Sequence, residues 1–203
     1  MERVRAVGVK NRPNILYIFT DQQSADALGC AGNDELATPN LDRFAAEGLR
    51  FTRAYCAQPL CMPSRAAMQT GRWPHANGVI TNPPYKVSTD QVLMARAGCR
   101  PQLGRILADA GYETAYIGRW HLKLPPEEPD VHGYRFTSIH DNDDGRVEVE
   151  TERFLNADRN APFFAVIGIC NPHDICHWAR GGPFRSGTIP DPPPPGACPP
   201  LPA

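Results

Sequence analysis

Short apolar runs alternate along this chain with segments of helical periodicity, and this alternation restricts its fold more than any other feature. Strands are predicted at 14–20, 113–118 and 162–169, and the apolar run 14–20 is interpreted as a buried parallel strand. Helices are predicted at 38–48, 63–71, 101–110 and 146–157, where proline or threonine precedes several of the periodic segments and glycine follows them. Strand and helix alternating at this spacing predict an α/β fold, with a mostly parallel central sheet and helices on both faces.

Charge and composition exclude several classes of protein. The chain has 21 basic and 22 acidic residues and a formal net charge of −1, so it has no basic excess for a nucleic-acid surface. It contains no run of eighteen apolar residues, so no membrane span is expected. No apolar stretch follows the charged segment 1–12 as a signal-peptide core would, which favours a cytoplasmic location.

The seven cysteines do not form a recognisable framework. Their number is odd, they are widely spaced, and no C-x-x-C pair occurs, so neither a disulfide lattice nor a zinc ribbon is indicated. Most are expected to be small buried hydrophobes in a reducing compartment.

Polar clusters follow the three predicted strands. They are Asp21-Gln22-Gln23, Trp120-His121 and Asn171-Pro172-His173-Asp174. Ligands of an open α/β sheet bind beyond the carboxyl ends of its strands, which would bring these clusters together. Polar residues also follow strands in ordinary surface loops, so the pattern alone is compatible with either interpretation. The acidic segment 140–145 lacks the spacing of an EF-hand loop and is interpreted as a solvated loop.

The segment at 61–72 has the strongest chemical character. Cys61 lies just before a helix that Pro63 is suited to begin, and a helix start favours an anion and lowers the pKa of a thiol. A tyrosine-phosphatase loop would place arginine at position 67, but that residue is Ala67 and the arginine stands at 65. The other interpretation of Cys61 is a buried structural thiol.

C-x-P-S-R followed by T-G-R, at 61–72, resembles the signature of the sulfatases, in the alkaline-phosphatase-like superfamily. Four further segments resemble that family in the same order: R-P-N-I-L-Y-I-F-T-D-Q-Q at 12–23, T-P-N-L-D-R-F-A-A-E-G at 38–48, G-R-W-H-L at 118–122 and N-P-H-D at 171–174. The chain is therefore identified as a member of the family, and an alkaline-phosphatase-like fold is expected.

The resemblance implies hydrolysis of a sulfate monoester. In the family a formylglycine-generating enzyme oxidises the cysteine, here Cys61, to an aldehyde. One hydroxyl of the aldehyde hydrate attacks sulfur, and the other then expels sulfate and restores the aldehyde. A phosphonate or phosphate ester hydrolase of the same superfamily is an alternative, and a catalytically inactive remnant or interaction module is another.

The resemblance also implies roles for individual residues. Arg65 would hold the hydrate, His121 would assist removal of its proton, and His173 would protonate the leaving group. Arg119 stands where the family commonly has lysine in G-K-W-H. It keeps the positive charge but is planar and bulkier. On sequence pattern alone, without the family resemblance, His121 and His173 would be interpreted as ordinary loop histidines and Arg65 as a solvated helix charge.

A divalent cation, most simply Ca²⁺, is implied with Asp21, Gln22 and the modified Cys61 as ligands. Gln22 stands where the family commonly has a second aspartate, so it offers an amide oxygen with less charge. The later D-H-G or D-N-H-G ligand motif of the family is absent. The chain is therefore interpreted as the N-terminal half of a sulfatase domain at 1–189, apparently truncated, with a proline-rich tail or truncation point at 190–203. An unpaired sheet edge and exposed apolar surface are expected.

Overall fold

A computed structural model describes residues 12–82, 102–122, 129–140 and 143–176, and its framework is a parallel sheet. The strands are β1 (Ile15–Asp21), β2 (Glu113–Gly118), β3 (Phe136–Ile139) and β4 (Phe163–Pro172). The helices are α1 (Pro39–Glu47), α2 (Cys61–Thr70), α3 (Pro74–Asn77), α4 (Leu103–Asp109), α5 (Pro129–His132) and α6 (Asp144–Leu155), with a 3₁₀ turn at Gly29–Ala31.

The sheet order is β1-β4-β2-β3, and each pair of neighbouring strands is parallel. Val166 of β4 is level with Tyr17 of β1 and with Tyr116 of β2, so β1, β4 and β2 run in register. Their carboxyl ends therefore meet at one edge of the sheet, as the sequence predicts for the polar clusters.

Helices cover both faces of the sheet, which confirms the predicted α/β architecture. On one face, Tyr116 and Val166 pack with Met62 and Ala66 of α2, and α4 adds partly buried leucines. On the other face, Val147 and Phe154 of α6 pack against side chains of β2 and β4, which are Ala115, Ile117, Phe163, Ala165 and Ile167. Alternate residues of each strand point to opposite faces, so two separate apolar clusters form.

Strand β1 is less buried than the sequence predicts. It is parallel, as expected, but it lies at the border of the described sheet with β4 as its neighbour. Tyr17 and Phe19 pack against the core, while Leu16 and Ile18 on the opposite face are 42% and 53% exposed. The prediction of a buried strand is therefore wrong for one of its two faces, because an apolar run does not show whether both faces of the strand are covered.

Two helices begin earlier than predicted. Helix α2 starts at Cys61 rather than Pro63, since Ser64 N–H already donates to the Leu60 carbonyl at 2.9 Å. Helix α6 starts at Asp144 rather than at 146, and the Asp143 carboxylate caps it by accepting from Arg146 N–H. Cys61 is thus part of the first helical turn.

Some predictions fall outside the described residues. The proline-rich segment 190–203 and the start of the helix predicted at 101–110 are among them, and the rest of that helix is α4. Within the described residues, every helix is too short or too polar to cross a membrane.

Gly118 ends β2 at a point where the backbones of β2 and β4 approach closely. Its φ is +96°, and a Cβ placed there would lie 2.1 Å from the Gly168 carbonyl oxygen. Gly118→Ala should therefore lower the free energy of unfolding by roughly 2–4 kcal/mol, from backbone strain and overpacking together. Urea denaturation measures this change. The control is Gly71→Ala, which shares a positive φ but has nothing within 4 Å of the added carbon and should cost less. Equal effects in both variants would contradict the argument.

Candidate active site

Asp21, the last residue of β1, is the centre of the polar cluster at the carboxyl edge of the sheet. It is 7% exposed, and the strand register places it beside Pro172 of β4. Its Oδ2 atom lies 3.0 Å from Nη2 of Arg65 and 2.9 Å from Nε of Arg119. A buried carboxylate of this kind is held in one orientation by two guanidinium groups.

Cys61 and His173 meet this carboxylate from different elements. The Cys61 Sγ atom, in the first turn of α2, lies 3.8 Å from Oδ1 of Asp21. One ligand atom each of Asp21, Cys61 and His173 lie within 4.8 Å of one another. The structure therefore brings together three of the residues for which the sequence predicts a role.

Arg65 is fixed by contacts along its whole guanidinium group. Besides the ion pair with Asp21, its Nη1 donates to the Arg119 carbonyl at 2.7 Å and to the Tyr116 hydroxyl at 3.4 Å. Its Cζ atom lies 4.8 Å from the centre of the Phe19 ring. The Arg65 side chain is 5% exposed, so the alternative interpretation of this residue as a solvated helix charge is wrong.

The local charge favours an anion. Two buried guanidinium groups face one carboxylate, which leaves an excess of one positive charge among Asp21, Arg65 and Arg119. Burial lowers the pKa of Arg119, but the charges of Asp21 and Cys170 and the hydrogen bond to Cys170 more than offset that effect, so its pKa is raised. Arg119 therefore remains cationic in the folded protein.

An open cavity of about 560 Å³ lies in front of this cluster. Asp21, Gln22, Cys61 and Arg65 are among the residues that line it. Arg119 is not among the described lining residues. It lies behind Asp21, between that carboxylate and the Cys170 Sγ atom, to which its Nη1 donates at 2.9 Å. The resemblance includes Arg119 among the catalytic residues, and in the described structure its guanidinium contacts Asp21 and Cys170.

His121 and Gln22 both have a backbone in the left-handed region. His121 follows the buried Trp120 with a φ of 44° and is half-buried, but it is not among the described residues lining the cavity. Gln22, with a φ of 64°, is exposed, and its Oε1 accepts from the Cys176 thiol at 3.0 Å. Its amide oxygen is thus at the cavity but already has a donor.

The residues present fit one side of a divalent-cation site. Oδ2 of Asp21 is bound by both arginines, which leaves Oδ1 directed toward position 61. Ca²⁺ takes six to eight oxygen ligands, and Asp21, Gln22 and an oxygen-bearing residue 61 supply only some of them. The described group can therefore hold a cation only together with further oxygen ligands.

Asn82 contributes to the site and has no signal in the sequence. Its Oδ1 accepts from Met62 N–H at 3.0 Å, so it caps the first turn of α2 from a segment beyond α3. Since Leu60, at the N-cap position, makes no side-chain cap bond, Asn82 supplies the stabilisation that a serine or aspartate normally gives.

Asn82→Ala should lower the free energy of unfolding by about 0.5–2 kcal/mol, the usual value of a helix cap. It should also increase the reaction rate of Cys61 with a small thiol reagent, because the first turn of α2 would open more often. Thermal denaturation and thiol labelling measure the two effects. Thr81→Ala, at the exposed neighbouring residue, is the control. An unchanged stability would show that Asn82 does not cap the helix.

Asp144 is a second residue whose role the sequence does not show. The segment 140–145 is predicted to be a solvated loop, and for Asp144 that is wrong. Its Oδ1 accepts from Cys170 N–H at 2.7 Å and its Oδ2 from Asn171 N–H at 2.8 Å. This carboxylate at the start of α6 therefore fixes the end of β4, from which His173 projects.

Comparisons with known proteins show which family the chain resembles. The family model described as Sulfatase matches residues 13–194. The N-acetylglucosamine-6-O-sulfatase of Bacteroides thetaiotaomicron is 32% identical over 89% of this chain and 35% of its own length. The ulvan-active sulfatase of Formosa agariphila is 32% identical over 80% of this chain and 36% of its own.

Solved structures show the same fold. A 2-O GAG sulfatase superposes with a TM-score of 0.70 and 27% identity, over 95% of this chain and 41% of that one. The parallel sheet with its helices is thus the alkaline-phosphatase-like fold of these neighbours. The chain spans about a third of the length of the two curated relatives.

Proposed function

The chain belongs to the sulfatase family, and on that premise we propose that it carries the nucleophile-bearing part of a site that hydrolyses sulfate monoesters, with Cys61 converted to formylglycine. The observation that carries this proposal is the approach of Cys61 Sγ to Asp21 Oδ1, 3.8 Å apart, at the wall of an open cavity. A nucleophile must be accessible to the substrate, so a residue that attacks an ester and also contacts Asp21 has to line the cavity rather than lie in the core.

Two groups that the family implies would add to these residues. A hydrated formylglycine at position 61 supplies a nucleophilic hydroxyl, and a divalent cation held by Asp21, Gln22 and residue 61 polarises the sulfate oxygens. The formylglycine-generating enzyme is the partner that the modification requires.

The arginines provide the electrostatic part of the mechanism. Arg65 lines the cavity, and its guanidinium is immobilised before any ligand arrives. A preorganised cation of this kind stabilises negative charge on a sulfate without reorganising. Arg119 is not a cavity residue among those described. It acts as a positioning residue that holds Asp21.

His173 is the proton donor of the proposal. A ligand atom of its ring lies within 4.8 Å of ligand atoms of Asp21 and Cys61. The leaving-group oxygen of an ester bound at residue 61 is therefore within reach of His173. His121 follows the neighbouring strand β2, and we assign it the removal of the proton from the nucleophilic hydroxyl. Proton transfer of this kind contributes typically 10²–10⁴-fold to a rate.

The substrate class is a sulfated sugar. Two curated relatives carry names that refer to ulvan and to N-acetylglucosamine 6-sulfate, and a solved neighbour is a GAG sulfatase. The excess positive charge beside Cys61 suits the sulfate group of any such ester, while the sugar itself would be selected by the wider cavity wall.

The mass of the peptide containing residue 61 tests the modification. After co-expression with a formylglycine-generating enzyme, we expect that peptide to have the mass of the aldehyde and to react with a hydrazide probe. Cys56 lines the same cavity outside the C-x-P-S-R motif and serves as the internal control. Unmodified cysteine at position 61 under every expression condition would contradict the proposal.

A comparison of substrates tests the reaction. We expect the modified protein to hydrolyse an aryl sulfate faster than a phosphodiester or a phosphonate ester of the same leaving group. A faster reaction with either phosphorus ester would favour the phosphonate or phosphate hydrolase. No turnover of any ester by modified protein would favour the inactive interaction module.

A further inference from the structure

A second cluster of metal-ligating side chains lies behind the candidate active site. One ligand atom each of Cys170, His173 and Asp174 lie within 4.8 Å of one another. We propose that these three residues bind a thiophilic divalent cation of the zinc class, at a site that shares only His173 with the group of Asp21, Cys61 and His173.

The ligand types and their spacing suit such an ion. Thiolate, imidazole and carboxylate together are a ligand set typical of Zn²⁺, whereas Ca²⁺ takes oxygen alone. Tetrahedral Zn²⁺ with ordinary bond lengths separates a thiolate sulfur from a carboxylate oxygen by about 3.6 Å. Cys170 Sγ and Asp174 Oδ1 already lie 3.7 Å apart.

The three ligands are held in place by the backbone around them. The Asp144 carboxylate accepts from Cys170 N–H, and His173 N–H donates to the Cys170 carbonyl at 3.0 Å. Cys170 and Asp174 are 0% and 1% exposed, while His173 is half-buried and gives access from outside. Little side-chain entropy remains to be lost when an ion binds.

The charges balance without rearrangement of the neighbouring arginine. The Cys170 thiol donates to Asp174 in the described state, so an entering ion replaces that proton, forms bonds to sulfur and oxygen, and releases the proton to the buffer. A dication then faces one thiolate and one carboxylate. Arg119 can keep its hydrogen bond to the sulfur, because a thiolate has more than one lone pair and can accept from the guanidinium while it binds the ion.

His173 belongs to both clusters. A ring nitrogen that coordinates an ion cannot donate or accept a proton, so occupation of this site would withdraw His173 from the chemistry at position 61. This consequence for activity rests on the proposed function. The binding site itself does not, since its ligands are defined by geometry alone.

Titration of the full 203-residue chain with Co²⁺, unmodified at position 61, tests the site without an activity assay. We expect a saturable thiolate-to-cobalt charge-transfer band that Zn²⁺ removes by competition. Cys170→Ser should abolish the band, and Asp174→Asn should weaken binding at least about tenfold. Cys61→Ser is the matched control, because the other cluster also contains a cysteine and His173. This variant should retain the charge-transfer band.

A chain that binds no Co²⁺ overturns the proposal, as does a band that survives Cys170→Ser or disappears in Cys61→Ser. Circular dichroism of each variant establishes that it is folded. Should Cys170→Ser fail to fold, Asp174→Asn decides the matter, and an unchanged affinity in that variant rejects the site. Failure of the sulfatase proposal would leave the Co²⁺ result unaffected, so the two can be told apart.

Discussion

Asp21→Asn should lower the free energy of unfolding by about 3–5 kcal/mol, the usual cost of removing one partner of a buried ion pair. The carboxylate is 7% exposed and its Oδ2 is bound by both Arg65 and Arg119. An amide carries no charge, so two buried guanidinium groups would face each other without a counterion. Chemical denaturation at neutral pH measures the loss.

The matched control is Asp26→Asn, at an exposed aspartate outside the site, where a change within about 0.5 kcal/mol is expected. A double variant isolates the repulsion. Adding Arg119→Met to Asp21→Asn removes one of the two opposed charges and should recover part of the lost stability. A loss of less than about 1 kcal/mol in Asp21→Asn, or strictly additive effects in the double variant, would show that the arginines do not depend on this carboxylate.

Cys61→Ala should reduce aryl sulfate hydrolysis by roughly 10⁴-fold or more, the order of effect found when an enzyme loses its nucleophile. Alanine cannot be oxidised to an aldehyde, and its methyl group leaves nothing at the cavity wall to attack sulfur. The side chain is only half-buried, so the fold should tolerate the change. Initial rates with the modified parent and the variant, at matched protein concentration, give the ratio.

Cys56→Ala is the control for this experiment. Cys56 is an exposed thiol that lines the same cavity. Its replacement by alanine should leave the rate of hydrolysis within a few-fold of that of the parent. Comparable losses in both variants would point to the cavity wall in general rather than to residue 61. Activity that persists in Cys61→Ala would exclude a nucleophile at that position.

The sequence predicts the sheet well because its strands carry their signal locally. The run 162–169 is apolar throughout, since β4 is central and both of its faces are covered by helices. The motif at 61–72 is likewise local, since its characteristic residues lie within α2 and the two residues that follow it. By contrast, β3 (Phe136–Ile139) is four residues long with a mixed pattern, and no periodicity distinguishes it from a loop.

Contacts between distant segments could not be predicted. Asn82 caps a helix that begins twenty-one residues earlier in the chain, and Asp144 binds backbone amides of β4 across the fold. The motif at 118–122 does not show which groups Arg119 contacts, and its side chain donates to Cys170, a residue that composition suggests is only a buried thiol. Such pairings depend on tertiary structure, which determines where a long side chain finds its partners.

The marginal position of β1 has a consequence for dynamics. Asp21 anchors both arginines from a strand that has one neighbour in the described sheet, so this carboxylate depends on the pairing of β1 with β4 alone. Fraying of β1 would separate Asp21 from Arg65 and Arg119 while β2, β4 and α2 stayed assembled. A sulfate ion bridging the two freed cations would then compete with the strand for its place, so anion concentration and amide exchange in β1 should be thermodynamically linked.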